Sequence, residues 1–221
     1  MNMLAGFIDQ TILRPDATAK ELSAFVGLSK GLGFATLCVP PCHVALSSSL
    51  LGSSKTLVST VIGFPLGFQS AGVKLLEAKA AVGSGASEID MVINISMLKS
   101  GNASFVADEI SGIVEAVPGS VVKVIIEACY LTDEEKIAAL EAAITSGAQF
   151  VKTSTGFGPK GAEVRDVKLL AAAASGRIKV KASGGIKTLE SALSMIAAGA
   201  TRLGTSSGPS ILNEMRGGFK R

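Results

Sequence analysis

Along the chain, short apolar runs of strand length alternate with longer segments whose apolar residues recur at helical spacing. Eight runs have the first character: FIDQTIL (7–13), FATLCVP (34–40), LVSTVIGFP (57–65), EIDMVIN (88–94), VVKVIIEA (121–128), FVKTST (150–155), IKVKAS (178–183) and TRLGTSS (201–207). Between them, segments such as TAKELSAFVGLSKGLG, GVKLLEAKAAVGSGA, DEEKIAALEAAITSGA, AEVRDVKLLAAAASG and TLESALSMIAAGA read as helices, several closing on a Gly-Ala pair. Strand and helix in alternation argue for a parallel sheet, because each crossover returns the chain through a helix. Eight such units predict a sheet closed on itself, an α/β single-domain (β/α)8 TIM barrel over residues 1–221. An open doubly wound sheet is the other solution, but no GxGxxG turn follows the first strands.

Alternation within the strands sorts the side chains into two faces. In EIDMVIN, Ile89, Met91 and Ile93 oppose Glu88, Asp90, Val92 and Asn94. In VVKVIIEA, Val122, Val124 and Ile126 oppose Lys123, Ile125 and Glu127; in IKVKAS, Ile178 and Val180 oppose Lys179, Lys181 and Ser183. The apolar faces should meet the helices, so these strands aim charge into the barrel. An unpaired buried charge is costly, which means these groups are paired, hydrated at the barrel mouth, or retained for chemistry. Lys152 of FVKTST and Lys181 fall toward the C-terminal ends of consecutive strands, with Asp90 on another. Active sites of this architecture occupy that rim. Neighbouring strands lie about 4.8 Å apart. Two ammonium groups that close disfavour each other's protonation, so one lysine is expected to be a neutral amine able to form a Schiff base with a carbonyl. A buried ion-pair network at the rim is the competing account of the same residues.

Two Gly-rich turns add an anion site. SGGI (183–186) closes the seventh strand and GTSSG (204–208) the eighth, each running into a helix. Backbone N–H groups of Gly184, Gly185, Ser206 and Ser207 are the expected donors, with Pro209 placed for a first helical position. Two ordinary turns with serine caps would look the same; their place after strands seven and eight is where such barrels often hold a phosphate.

Composition narrows the class. The 221 residues are 48% hydrophobic and 18% charged, with 25 Gly and no Trp, which suits a large globular core. A net charge of +3 without a basic block gives no reason to expect nucleic acid. Three cysteines argue against a disulfide framework. CVPPCH (38–43) lacks the spacing of common zinc motifs and a fourth ligand, so no metal is expected. No apolar run reaches membrane-spanning length and MNMLAGFIDQ lacks signal-peptide character, so the expectation is a soluble, cytoplasmic protein with no membrane partner.

From Ile8 to Ser210, the stretches IDQTILRPDAT, VIGFPLG, EIDMVIN, VVKVIIEACYLTDEEK, FVKTSTGF, VKASGGIKT and GATRLGTSSG resemble the deoxyribose-phosphate aldolase family of class I aldolases. The resemblance implies a (β/α)8 barrel with neither metal nor organic cofactor. It implies reversible cleavage of 2-deoxyribose 5-phosphate into acetaldehyde and glyceraldehyde 3-phosphate. Lys152 of KTSTG then resembles the Schiff-base lysine, Lys181 of KASGG the assisting lysine and Asp90 the proton-relay carboxylate. Asp9, Thr11 and Cys38 match positions lining the substrate hydroxyl side. Partners are the sugar phosphate and aldehydes, and a homo-oligomer is expected. A phosphosugar isomerase or a noncatalytic phosphate-binding barrel would keep the same loops. The chain departs from the family pattern at Gln10, where many members have His, and at Arg14, where Lys is frequent. Phe157 stands where some members carry a phosphate lysine, which leaves Lys160 or Lys187 to supply that charge, and the tail GGFKR lacks a terminal tyrosine.

Overall fold

The computed structural model describes residues 3–217, so the tail GGFKR lies, from Gly218 onward, outside the described residues. After a 3-10 turn at Met3–Phe7, eight parallel strands form: β1 (Ile8–Thr11), β2 (Thr36–Val39), β3 (Leu57–Ile62), β4 (Glu88–Val92), β5 (Val121–Ile125), β6 (Phe150–Lys152), β7 (Lys179–Ser183) and β8 (Arg202–Thr205). Each pairs with its sequence neighbour, and β8 pairs with β1 to close the barrel. The helices are α1 (Ala19–Ser29), α2 (Val44–Leu51), α3 (Ala71–Gly83), α4 (Ile95–Lys99), α5 (Ala103–Ala116), α6 (Asp133–Thr145), α7 (Val164–Ala174), α8 (Leu189–Ala197) and α9 (Gly208–Met215). The architecture is therefore the expected single-domain (β/α)8 TIM barrel.

Local chemistry explains several boundaries. Thr18 with Glu21 and Thr132 with Glu135 form reciprocal capping boxes that start α1 and α6. The Gly-Ala endings work through glycine: Gly147 after α6 and Gly199 after α8 take positive φ, where a side chain would be strained. Outward residues such as Ile89, Met91, Val124, Val151 and Leu203 join Ile110, Leu140 and Leu170 in one continuous buried core between sheet and helices. At about 25 cal/mol per Å2 of apolar surface, this layer is the main source of stability. Outside the barrel's centre, Lys74 of α3 is fully buried, with its Nζ 2.7 Å from Glu109 of α5 and 2.8 Å from the Val92 carbonyl. Glu109 also accepts from Asn94 N–H, so this pair ties two helices to the C-terminal end of β4.

Strand register brings the inward charges together. Asp90 sits opposite Lys123, Lys152 opposite Lys181, and Lys181 opposite Arg202. One expectation needs correction: β5 ends at Ile125, and Glu127 does not continue the inward face. It adopts φ 47, ψ 65, the left-handed region, and its buried carboxylate leaves the strand direction altogether.

Candidate active site

Lys152 is the last residue of β6 and Lys181 the third of β7, so both side chains rise toward the C-terminal rim. Between them lies Asp90. Its Oδ2 accepts from Lys152 Nζ and from Lys181 Nζ, each at 2.7 Å, while Oδ1 accepts from Lys123 Nζ at 2.6 Å. Lys181 also bonds Asp9. Lys123 lies 2.7 Å from Glu88, and Arg202 reaches Asp9 Oδ1 at 2.6 Å and Glu88 at 2.9 Å. The result is a continuous ion-pair network across the inside of the barrel, with no carboxylate in it left unpaired.

This network splits the lysines chemically. Burial opposes the charged form of Asp90, yet Lys123, Lys152 and Lys181 outweigh it and hold the carboxyl well below its ordinary range. Asp9 behaves likewise, its burial outweighed by Lys181, Lys123 and Arg202. Burial also opposes the charge on Lys181, but Asp9 and Asp90 prevail and raise its pKa, so Lys181 stays an ammonium. Lys152 goes the other way. Burial lowers it, Asp90 resists, and the Lys181 charge lowers it further. The expected lysine contrast is therefore present, with a corrected cause: desolvation is the first influence on Lys152 and the neighbouring ammonium the lesser one.

A cavity of about 550 Å3 opens at the rim, with Lys152 on its wall. Thr11, the turn 155–157, the SGGI turn and residues 204–206 form much of the rest. Thr11 lies on this wall, its hydroxyl donating to the Asp9 carbonyl at 2.9 Å. Gly184 is held against Gly161: an added Cβ would sit 2.9 Å from the Gly161 Cα, so only glycine fits. Gly185 has φ +78 and nothing within 4 Å of where its Cβ would stand, leaving backbone open to the cavity.

Other expected site residues take different places. Asp9 is fully buried, with Oδ1 on Arg202 and Oδ2 on Lys181, and it is not on the cavity wall. It orients Lys181 from behind. Cys38 is buried behind the wall as well, its thiol pushed up by burial and by the Asp90 charge. Ser207 is corrected on two counts: its N–H already donates to Thr205 Oγ1 at 2.9 Å, and it lies off the wall that Ser206 reaches. Gly208, not Pro209, takes the first position of α9. Of the two lysines considered for the missing phosphate charge, Lys187 lines the cavity. Lys160 lies off it, paired with Glu163 at 3.1 Å on the surface.

Sequence reading passed over Arg202 and the true role of Glu127. Alternation in TRLGTSS places Arg202 and Gly204 on one face and Leu203 on the other, so the signal for Arg202 was there to be read. Glu127 accepts from Thr155 N–H at 3.3 Å and also bonds the Thr155 hydroxyl, which in turn accepts from Phe157 N–H at 3.0 Å. It thereby fixes the turn that follows Lys152. Only a turn that breaks the strand could direct it there, and nothing in IIEACY announces one.

The model of the DeoC/LacD family of aldolases matches residues 5–214 of the chain. A deoxyribose-phosphate aldolase from Thermoanaerobacter sp. (strain X514) is 50% identical over 214 residues, spanning 96% of this chain and 96% of its own. Among solved structures, the aldolase QR15 superposes with TM-score 0.94 at 48% identity, covering 98% of this chain and 97% of that one. The tetrameric deoxyribose phosphate aldolase from Aeropyrum pernix does so with TM-score 0.89 at 36% identity, covering 96% and 91%.

Proposed function

Because the chain belongs to the DeoC/LacD family of aldolases, we propose that it reversibly cleaves 2-deoxyribose 5-phosphate to acetaldehyde and glyceraldehyde 3-phosphate through a Schiff base on Lys152. One observation carries the choice of residue. Of the three lysines on Asp90, Lys152 alone lines the cavity, and it is the one driven toward the neutral amine.

The chemistry proceeds from that amine. Lys152 Nζ adds to the aldehyde carbon of the open-chain sugar, and loss of water leaves a protonated imine as electron sink. Removal of the C3 hydroxyl proton lets the C2–C3 bond break. Its electron pair moves to C2 as an enamine, and glyceraldehyde 3-phosphate departs. Protonation of C2 and hydrolysis of the imine then release acetaldehyde and regenerate the amine. Asp90, 2.7 Å from both lysines, is positioned to pass protons between them and the substrate, a role worth about 10²- to 10⁴-fold. The phosphate is assigned to Gly184, Gly185, Ser206 and Lys187, all of which line the cavity from the turns after β7 and β8.

Self-association belongs to the same reading. The Aeropyrum pernix relative is tetrameric, and Leu66, Phe68, Val73 and Leu76 are exposed around the start of α3. The cytoplasm is the implied compartment, in keeping with three free cysteines. Among the described residues, no helix is long and apolar enough to cross a membrane.

Borohydride reduction in the presence of deoxyribose 5-phosphate, followed by mass mapping, tests the assignment. The expected label is on Lys152, and Lys152→Ala should lose it while remaining folded. Label on another lysine would overturn the residue, and absence of any adduct would favour an isomerase or a noncatalytic barrel.

A further inference from the structure

We propose that Gln10 is a positioning residue that fixes the anion-binding turn after β8. The inference rests on the phosphate reading of that turn given above. Gln10 is buried in β1, and its amide reaches across the seam where β1 meets β8. Nε2 donates to the Ser206 carbonyl at 3.1 Å, and Oε1 accepts from Gly208 N–H at 2.9 Å. One neutral side chain thus grips the turn at both ends.

Three features make this grip more than a local hydrogen bond. First, Ser207 provides no side-chain cap for α9, so Gln10 satisfies the helix's first N–H from another element. Second, glycine at 208 is what allows the approach: a Cβ there would lie 2.5 Å from Gln10 Oε1 and 2.9 Å from the Phe34 ring. Third, Ser206 lines the cavity. With its carbonyl held by Gln10, that oxygen cannot turn toward a bound phosphate, where like charge would repel. The donor and acceptor at one amide end are both needed, and a side chain offering only one leaves a buried backbone group unpaired.

The test compares deoxyribose 5-phosphate with unphosphorylated deoxyribose as substrates. Gln10→Met, which keeps the length but removes both polar atoms, should raise KM for the phosphorylated sugar about ten-fold, more than it lowers kcat. The ratio of kcat/KM between the two sugars should fall by a similar factor. Gln10→His assayed at pH 8, where a neutral imidazole offers one donor and one acceptor, should restore most of that ratio. If Gln10→Met does not fold, Gln10→Leu gives the same comparison, since it too removes both polar atoms and adds no charge beside the turn. A ratio within two-fold of wild type in either folded variant overturns the role of Gln10. A wild-type enzyme with no preference for the phosphorylated sugar overturns the phosphate reading itself, and this inference with it.

Discussion

Exchanging Asp90 for asparagine should separate imine formation from carbon–carbon cleavage. The native carboxylate accepts from Lys152 and Lys181 at Oδ2 and from Lys123 at Oδ1. An amide keeps one oxygen and turns an NH2 toward lysine donors on the other side. Lys123 retains Glu88, and Lys181 retains Asp9, but Lys152 has no second carboxylate. Removing one member of a buried pair typically costs about 3–5 kcal/mol. For a protein of this size, with about 2–4 °C lost per kcal/mol, taking about 3 kcal/mol predicts a fall in Tm of roughly 6–12 °C. Asp90 resists the lowering of Lys152 by burial, so its neutralisation moves the amine further toward neutral. The extent of borohydride labelling of Lys152 with acetaldehyde should therefore persist, with its rise moved to lower pH. Turnover of deoxyribose 5-phosphate should fall by about 10²- to 10⁴-fold because the proposed proton relay is gone. A folded Asp90→Asn protein whose kcat stays within ten-fold of wild type, or whose labelling rises at higher pH instead, refutes this account.

Lys181→Met removes a positive neighbour of Lys152 and leaves Asp90 less compensated, so imine formation should rise at higher pH than in wild type, with slower turnover. An unmoved pH profile would leave Lys181 a proton-transfer role alone. Lys187→Ala should raise KM for deoxyribose 5-phosphate several-fold and Lys160→Ala less than about two-fold, while Gly185→Asp, which sets a carboxylate against the anion, should raise it far more. Equal losses with unphosphorylated deoxyribose would mean that these turns shape the barrel and hold no phosphate. Acid stability follows from Asp9 and Asp90: both are depressed in the fold, so their stabilisation is complete above the unfolded carboxyl pKa of about 3.9 and is lost as pH falls below it toward the folded values. Urea midpoints should drop steeply below about pH 4 in wild type and less steeply in Asp90→Asn; parallel curves would contradict the assignment.

Much of this was legible because a (β/α)8 barrel repeats one simple rule. Each strand must be apolar outward, so any inward Asp or Lys breaks the pattern and announces itself, as Asp90, Lys123 and Lys181 do. Helices α2 and α4 are harder to read: VALSSSLL has no charged face, and ISMLK is little more than one turn. The strands also end earlier than their strand-like runs, for a related reason. FVKTST continues with the β-branched Thr153 and Thr155, yet β6 stops at Lys152, and Thr155 is drawn to Glu127. Long-range bonds of this kind, like that of Gln10 to Gly208, leave no periodic trace. The same limit applies to Asp9 and Ser207, whose types fitted a substrate site but whose hydrogen-bonding capacity the fold had already used.

The balance of charge inside the barrel supports the proposal that Lys152 is the reactive group. Asp9, Glu88 and Asp90 supply three carboxylates, and Lys123, Lys181 and Arg202 supply three cations in contact with them. A charged Lys152 would add a positive charge with no carboxylate of its own, in a site where each uncompensated ion costs several kcal/mol. Releasing a proton from Lys152 is the least costly way to restore neutrality, because the other three cations each hold at least two carboxylates. The position of the residue completes the selection. Lys152 retains 3% exposure at the cavity wall, while Lys123 and Lys181 are fully enclosed. The amine that burial drives toward the neutral form, against the pull of Asp90, is therefore also the one on the cavity wall, where the proposed mechanism needs a carbonyl to reach it.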